Sequence, residues 1–272
     1  MTPQAAAATE PRTLAPPDRR LSRVAANEAL GAYRLISTHD GHGPADPWPG
    51  QFFMLAAAER WGAGADERPY LPRAFSYARA RPERPGVRLD FLLEAIGPGT
   101  DRLAQLSPGE ELALVGPLGV GFRPPEPGSR PLLVGGGIGT APLLCLAEQL
   151  DSPTILLGFR SGAHAEAARL FPDAAVATDD GSVGRRALVT ELLAEELDDG
   201  PTTVYACGPA PMLEAVRALC AERGVPAQLA LESGMACGFG ACFGCVVPTK
   251  DGYIRLCLDG PVLDADRLES AL

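Results

Sequence analysis

Apolar and polar residues fall into short alternating runs over the first half of the chain and regroup into longer periods over the second. From Arg19 to about Arg123, the runs Leu21–Val24, Tyr33–Ser37, Gln51–Ala57, Phe75–Ala78, Val87–Ala95 and Glu111–Val115 read as β-strands. Turn-rich breaks such as GHGPADPWPG and RPERPG separate them. Six strands so spaced predict a small closed antiparallel barrel. From Ser129 the period changes. Pro131–Val134, Thr154–Phe159, Ala174–Ala177 and Val204–Ala206 predict short buried strands, and Leu143–Leu150, Ala187–Glu196 and Ala210–Glu222 predict helices around them. Strand alternating with helix predicts a parallel sheet with crossover connections. Gln228–Leu231 predicts a last strand that delivers the chain into a loop of cysteines and glycines.

That loop carries the strongest chemical signal. Cys237, Cys242, Cys245 and Cys257 follow the pattern C-x4-C-x2-C-x11-C, and its tight part is the plant-type iron–sulfur spacing. Three thiolates within nine residues, with a fourth returning from a following hairpin, can converge on one point. Gly238, Gly240 and Gly244 lie between them, where a backbone wrapping a cluster needs positive φ and close approach. Small residues there also let N–H groups point at the sulfurs. A structural zinc site is the competing reading, although such sites pair their cysteines twice as C-x2-4-C and here the fourth cysteine stands alone. Unrelated buried thiols are the third.

Composition narrows the setting. The 272 residues have room for two domains and a small appendage, with 46% hydrophobic and 21% charged residues. Lysine and arginine number 24 against 34 acidic residues, a balance of −10, which argues against nucleic acid and anionic membrane as partners. No apolar run has the length of a membrane span. The N-terminal segment lacks a basic start and an apolar core, so it does not read as a signal peptide. Its Pro/Ala-rich composition predicts a disordered tail over residues 1–18. Cys145, Cys207 and Cys220, outside the cysteine loop, read as reduced thiols of a cytoplasmic protein.

Weaker motifs fill in the rest. Gly135, Gly136, Gly137 and Gly139 follow a strand and precede a helix start that includes Thr140, an arrangement that attracts phosphate. GGGIGT is not G-x-G-x-x-G, and Arg160 and Ser161 stand where an acidic residue normally takes a ribose hydroxyl, which keeps NADP open beside NAD. Cys207-Gly208-Pro209 and Thr178–Ser182 each follow a strand and so face the ligand crevice of an open α/β sheet. A buried small hydrophobe and a solvated turn are their bland readings. In the β region, Arg73 and Phe75 share one strand face and Ala74 and Ser76 the other. Gly97-Pro98-Gly99-Thr100 is a glycine-rich turn opening a short helix. His39, His42 and His164 have no ligand spacing and read as surface residues.

Taken in order, RAFS, GPGT, GPLG (Gly116–Gly119), LLVGGGIGTAPLL, TDDGS, CGPAPML and the cysteine loop resemble a ferredoxin-reductase-type flavoprotein. The segment from Glu232 to Cys257 and on through Leu258-Asp259-Gly260-Pro261-Val262 is similar to the electron-transfer subunit of class B dihydroorotate dehydrogenases, and the likeness covers residues 19–268. The resemblance implies a six-stranded FAD-binding barrel over 19–125, an NAD-binding parallel-sheet domain over 126–227 and a [2Fe–2S] region over 228–272. It implies that Arg73 pairs with the flavin pyrophosphate, with Ala74 and Phe75 beside it and Ser76 near the reactive flavin nitrogen. Gly97, Gly99 and Thr100 cradle FAD phosphates; Gly137, Gly139 and Thr140 approach NAD(H), with Cys207 near its ring; the four loop cysteines ligate the cluster. Ala74 stands where the family has proline, and Gly234 where it more often has a charged residue. The implied role is to pass electrons between a partner FMN-containing dihydroorotate dehydrogenase subunit and NAD+ in pyrimidine synthesis, in a two-plus-two heterotetramer. No orotate site is evident in this chain. A reductase subunit serving ferredoxin or a hydrogenase, a zinc-stapled nucleotide-binding module and a plain FAD/NADH reductase are the rival readings.

Overall fold

The computed structural model describes residues 11–16, 18–62, 70–197 and 200–271. In chain order the strands are β1 (Arg20–Leu30), β2 (Tyr33–Asp40), β3 (Phe52–Ala57), β4 (Arg73–Ser76), β5 (Arg79–Pro82), β6 (Val87–Glu94) and β7 (Glu111–Leu118), with helix α1 (Pro98–Ala104) before β7. Next come β8 (Arg130–Gly136), α2 (Ala141–Ala147), β9 (Thr154–Phe159), α3 (Gly162–Ala165), β10 (Ala175–Thr178), β11 (Arg185–Arg186), α4 (Val189–Glu196), β12 (Thr202–Cys207), α5 (Ala210–Arg223) and β13 (Ala227–Ala230). The chain ends on the hairpin β14 (Val246–Thr249) and β15 (Gly252–Arg255), helix α6 (Leu256–Asp259) and strand β16 (Val262–Asp264).

The first sheet runs β4-β3-β7-β1-β2-β6-β5, with every pairing antiparallel. It corrects the expectation of six strands at one point. Phe75–Ala78, read as a single strand, is the bend between β4, which pairs with β3, and β5, which pairs with β6. The two edges of the sheet are therefore the two halves of one bent segment, and the sheet curls into a half-barrel. Continuous burial of β3 (FFMLAA) follows from its place between β4 and β7, covered on both faces.

The second sheet runs β11-β10-β9-β8-β12-β13-β16, parallel except for β16, which pairs antiparallel with β13. β9 has the bounds expected from its sequence. β11 and β16 escaped the sequence reading because both are too short for any period. Strand order reverses between β8 and β12, so the ligand crevice of this sheet opens at their C-terminal ends, where Gly137 and Cys207 emerge. One apolar core joins all three regions. Phe52, Met54 and Leu118 of the half-barrel pack with Leu132, Val204 and Leu229 of the second sheet and with Cys245, Leu256 and Cys257 of the C-terminal region.

The described part of the tail expected to be disordered differs from that expectation; residues 1–10 and 17 lie outside the described residues. The Pro11 carbonyl accepts the Gly121 N–H at 2.8 Å. The Thr13 N–H donates to Gln51 Oε1 at 3.0 Å, and Gln51 Nε2 returns a bond to the Thr13 carbonyl at 3.1 Å. Arg12 donates to the Leu258 carbonyl at 3.3 Å, one residue beyond the last loop cysteine. This segment thus fastens the half-barrel to the C-terminal region. Deleting the chain through Thr13 is expected to lower unfolding stability by about 1–3 kcal/mol, a few net hydrogen bonds, as measured by urea denaturation.

The other end is fastened by α5. Glu214 accepts from Arg217 at 2.6 Å, from the Ala271 N–H at 2.7 Å and from Ser270 Oγ at 3.2 Å. The Arg217 hydrogen bonds and then the Ala271 N–H hold its carboxyl down at about 2, against an ordinary 4.5. A carboxylate depressed in the folded state stabilises above 4.5, and that contribution fades as pH falls from 4.5 toward 2. Glu214→Gln is expected to melt earlier than the parent at pH 7, with the gap closing on acidification across that window in melting curves taken at stepped pH.

Candidate functional site

Two clefts open between the sheets and share a wall. The smaller, about 280 Å³, is lined by Arg73, Ala74, Phe75 and Ser76 of β4, by Thr100 of α1, and across from them by Cys207 and the segment Leu231–Ser233. The larger, about 660 Å³, lies over the second sheet, with Gly136, Gly137, Gly158, Arg160, Asp179 and Met212 on its surface. Glu94, Ile138 and Glu232 line both. A planar ring in the smaller cleft and a second ring entering from the larger would meet at these three residues.

The smaller cleft fits a flavin dinucleotide by the packing of a cation, Arg73, on a glycine turn, where a pyrophosphate would lie. Arg73 on β4 lies against Gly99 so closely that a Cβ there would stand 2.8 Å from the guanidinium carbon. Glycine at 99 is therefore what lets the fixed cation sit flat on the turn. Thr100 Oγ1 accepts the Ile96 and Gly97 N–H groups at 3.0 Å and donates to the Gly97 carbonyl at 2.9 Å, so its hydroxyl shapes the turn. Gly97 and Gly99 support the cleft without lining it. Ser76, directly across from Phe52 in the β3–β4 register, presents its side of the strand to the cleft, as does Ala74.

At the crossover, Gly137 lines the larger cleft, while Gly139 and Thr140 stand behind it. A Cβ on Gly139 would meet the Gly208 nitrogen at 2.5 Å, so glycine there lets the β8–α2 turn close onto the end of β12. Thr140 is fully buried, and its hydroxyl has no hydrogen-bond partner among the described residues. The orphaned hydroxyl lines neither cleft, so Thr140 backs the glycine turn at the switch point without presenting its hydroxyl to a ligand there. Cys207 is buried at the end of β12 and faces the smaller cleft. Burial, then the Glu232 carboxylate, pushes its pKa well above the thiol range. It is a neutral thiol at pH 7, suited to contact and not to nucleophilic attack.

Several residues here were not singled out from the sequence. Glu232 borders both clefts; water reaches it from the cleft side while the surrounding protein raises its carboxyl above the usual range. Tyr33, Glu94 and His164 meet Arg160 at the rim. His164, expected on the surface, packs edge-to-face on Tyr33 with ring centroids 5.6 Å apart. Burial, then Glu94, raises the Tyr33 pKa to about 12. The i, i+4 spacing of Arg160 and His164 was the available signal; their partners come from strands 66 or more residues away.

The cysteine loop begins at Cys237, seven residues after β13. Its thiols meet in pairs, Cys237 with Cys242 and Cys245 with Cys257, and Cys237 also acts electrostatically on Cys257. Among the described residues no three ligand-type side chains already stand around one point. The surroundings nonetheless suit a thiolate cluster. Burial acts to raise the Cys237 pKa, but backbone N–H groups of Cys242, Phe239 and Ala241 outweigh it and bring the thiol down to about 6. Gly244 N–H approaches Cys242 Sγ, and Cys257 N–H approaches Cys245 Sγ, both at 3.4 Å. N–H groups aimed at sulfur are what an iron–sulfur cluster requires of its protein. Gly238 holds φ +80°, and a Cβ there would stand 2.5 Å from Met54 on β3, so the loop rests on the half-barrel only as glycine. Arg255 donates to the Gly240 carbonyl at 2.9 Å and lies 4.8 Å from the Phe243 ring centre, bracing the loop against the hairpin.

A curled antiparallel sheet, a switch-point cleft and a thiol loop in series define a ferredoxin-reductase-like fold with an iron–sulfur appendage. The fold is matched by the structure described as an NADH-dependent reduced ferredoxin-NADP oxidoreductase, with TM-score 0.76 at 24% identity over 92% of this chain and 90% of that one. Residues 232–269 match the family described as the iron–sulfur cluster binding domain of dihydroorotate dehydrogenase B. Relatives described as "Dihydroorotate dehydrogenase B (NAD(+)), electron transfer subunit" are 35% identical in Caldanaerobacter subterraneus, over 91% of this chain and 97% of the relative, and 41% identical in Bacillus caldolyticus, over 80% and 85%. The chain belongs to the family of class B dihydroorotate dehydrogenase electron-transfer subunits.

Proposed function

We propose that this chain passes electrons between a dihydroorotate dehydrogenase catalytic subunit and NAD+, through FAD and a [2Fe–2S] cluster, in pyrimidine synthesis. The observation that carries the reading is the series of sites: the nucleotide cleft shares Glu94, Ile138 and Glu232 with the flavin cleft, and the Leu231–Met235 wall of the flavin cleft runs directly into Cys237. FAD held here would supply two-electron exchange with a nicotinamide and one-electron exchange with a cluster.

The chain's own groups then have distinct tasks. Arg73 neutralises the flavin pyrophosphate against the turn at Gly99 and Thr100. Ser76 and the neutral thiol of Cys207 both line the flavin cleft and fix the approach of the two rings. Gly137 lets NAD(H) approach the end of β8, with Gly139 and Thr140 shaping the turn behind it. Cys237, Cys242, Cys245 and Cys257 hold the cluster, with Cys245 and Cys257 anchored in the core and Cys242 exposed. Division at 19–125, 126–227 and 228–272 follows these three tasks.

The partner meets the cysteine loop. Phe239 and Phe243 of the loop and Tyr253 of the hairpin are 46%, 62% and 80% exposed, aromatic groups that a second subunit would cover. The partner supplies FMN and the dihydroorotate chemistry, in a two-plus-two assembly in the cytoplasm. Buried free thiols at Cys145, Cys207 and Cys220 support a reducing compartment, and among the described residues no helix is long and apolar enough to cross a membrane. Co-expression with the catalytic subunit tests the reading. Orotate formation coupled to NAD+ reduction by the complex, lost when this chain is omitted, is the expected result; a complex that reduces ferredoxin and ignores dihydroorotate would replace it with the ferredoxin-reductase reading.

A further inference from the structure

Arg160 is the single arginine or lysine among the described residues lining the larger cleft, against three carboxylates, Glu94, Asp179 and Glu232. It directly follows β9, the position from which an acidic residue usually holds a ribose 2′-hydroxyl and an arginine accepts a 2′-phosphate. By sequence, then, this cleft has the NADP residue. By structure, that residue is occupied. Arg160 donates to Glu94 Oε1 at 2.8 Å, across the boundary between the two sheets, and to His164 Nε2 at 2.7 Å. His164 Nδ1 is bonded to Ser161 Oγ at 2.9 Å, and its Nε2 stands 3.3 Å from Glu94 Oε1, so His164, Arg160 and Glu94 form one cluster. Asp179, just after β10, adds a carboxylate without an ion pair among the described residues to the same wall.

We propose that Glu94, a half-barrel residue, decides between NADH and NADPH by holding Arg160. Resting on the reading of this cleft as the dinucleotide site, the inference concerns which residue sets its choice. With Glu94 in place, a 2′-phosphate dianion meets a neutralised cation and the Asp179 carboxylate. It must break the Glu94–Arg160 pair to gain a partner. A 2′-hydroxyl has no such conflict, and Asp179 can accept from it. Because the Arg160 side chain is 66% exposed, its pairing is of the modest kind that a single uncharged replacement undoes. Glu94 is thus a positioning residue: it acts on the nucleotide through Arg160.

The test uses the flavin-loaded protein with ferricyanide as acceptor and NADH or NADPH as donor. Glu94→Gln is expected to raise the NADPH-to-NADH ratio of kcat/KM by roughly two- to fivefold, the worth of the exposed ion pair that a 2′-phosphate no longer has to break. It should also tighten inhibition by 2′,5′-ADP with no matching change for 5′-AMP. Adding Arg160→Ala to that variant should return both readouts to the parent values. Glu94→Asp, which withdraws the carboxylate by one methylene, should give a smaller gain in the same direction and serves if the glutamine variant loses flavin. An unchanged ratio in both variants, or a gain that survives Arg160→Ala, would overturn the assignment. If NADH fails to bleach the flavin of the parent protein, the dinucleotide reading falls and this inference with it; bleaching in the parent with unchanged ratios removes the role of Glu94 alone.

Discussion

Replacing Cys242 with serine should leave a yellow protein that NADH still bleaches but that no longer delivers electrons to its partner. Cys242 is the exposed member of the cysteine set, so its loss disturbs no packing, whereas Cys245 and Cys257 belong to the core. A serine hydroxyl does not ionise near neutral pH and is a poor ligand for iron, so the site keeps three thiolates and loses the fourth. The flavin and nucleotide clefts share no residue with positions 237–257 and should be unaffected. Iron content, the electron-spin-resonance signal of the reduced cluster and NADH oxidation with ferricyanide separate these outcomes. Loss of the signal and of orotate-coupled turnover, with ferricyanide activity retained, is the expected pattern.

Arg73→Ala should strip the flavin. The guanidinium is held flat over Gly99 at the smaller cleft, and Arg73 is the only basic residue among the described ones that line it. A hydrogen bond to a charged group is worth about 1.5–3 kcal/mol, so the dissociation constant for FAD should rise by roughly ten- to hundredfold, measured by fluorescence on refilling the apoprotein. Gly99→Ala should weaken binding in the same direction with Arg73 intact, because the added methyl displaces the guanidinium. Both variants should keep the cluster signal, since the loop rests on Met54 and Leu118 and not on β4.

Much of this site was legible because its signals are local. The C-x4-C-x2-C-x11-C spacing, with glycine between the ligands, required only a loop and a hairpin, and the N–H groups around Cys237 are those of its neighbours in sequence. The alternation of strand and helix after Ser129 likewise named the parallel sheet. What stayed hidden depends on residues far apart in the chain. Nothing in RAFSYARARP marks a bend at Tyr77-Ala78; the bend exists because β3 and β6 claim successive halves of the segment. The Pro/Ala-rich composition of the tail says nothing of Gln51, 38 residues on, whose amide captures Thr13. Arg160 was visible as a cation in an acidic residue's place, but its occupation by Glu94 spans 66 residues and two sheets. Thr140 was picked for its motif; that its hydroxyl is orphaned required the packing.

The central claim is a route from the nucleotide cleft through the flavin cleft to the cysteine loop, and its most direct measurement is an anaerobic titration of the purified protein with NADH, followed by visible absorbance and electron-spin resonance. The account predicts flavin bleaching together with the signal of one reduced [2Fe–2S] cluster per chain. A colourless protein that binds zinc, or a flavin that bleaches while a bound cluster stays oxidised in the presence of excess NADH, would contradict it.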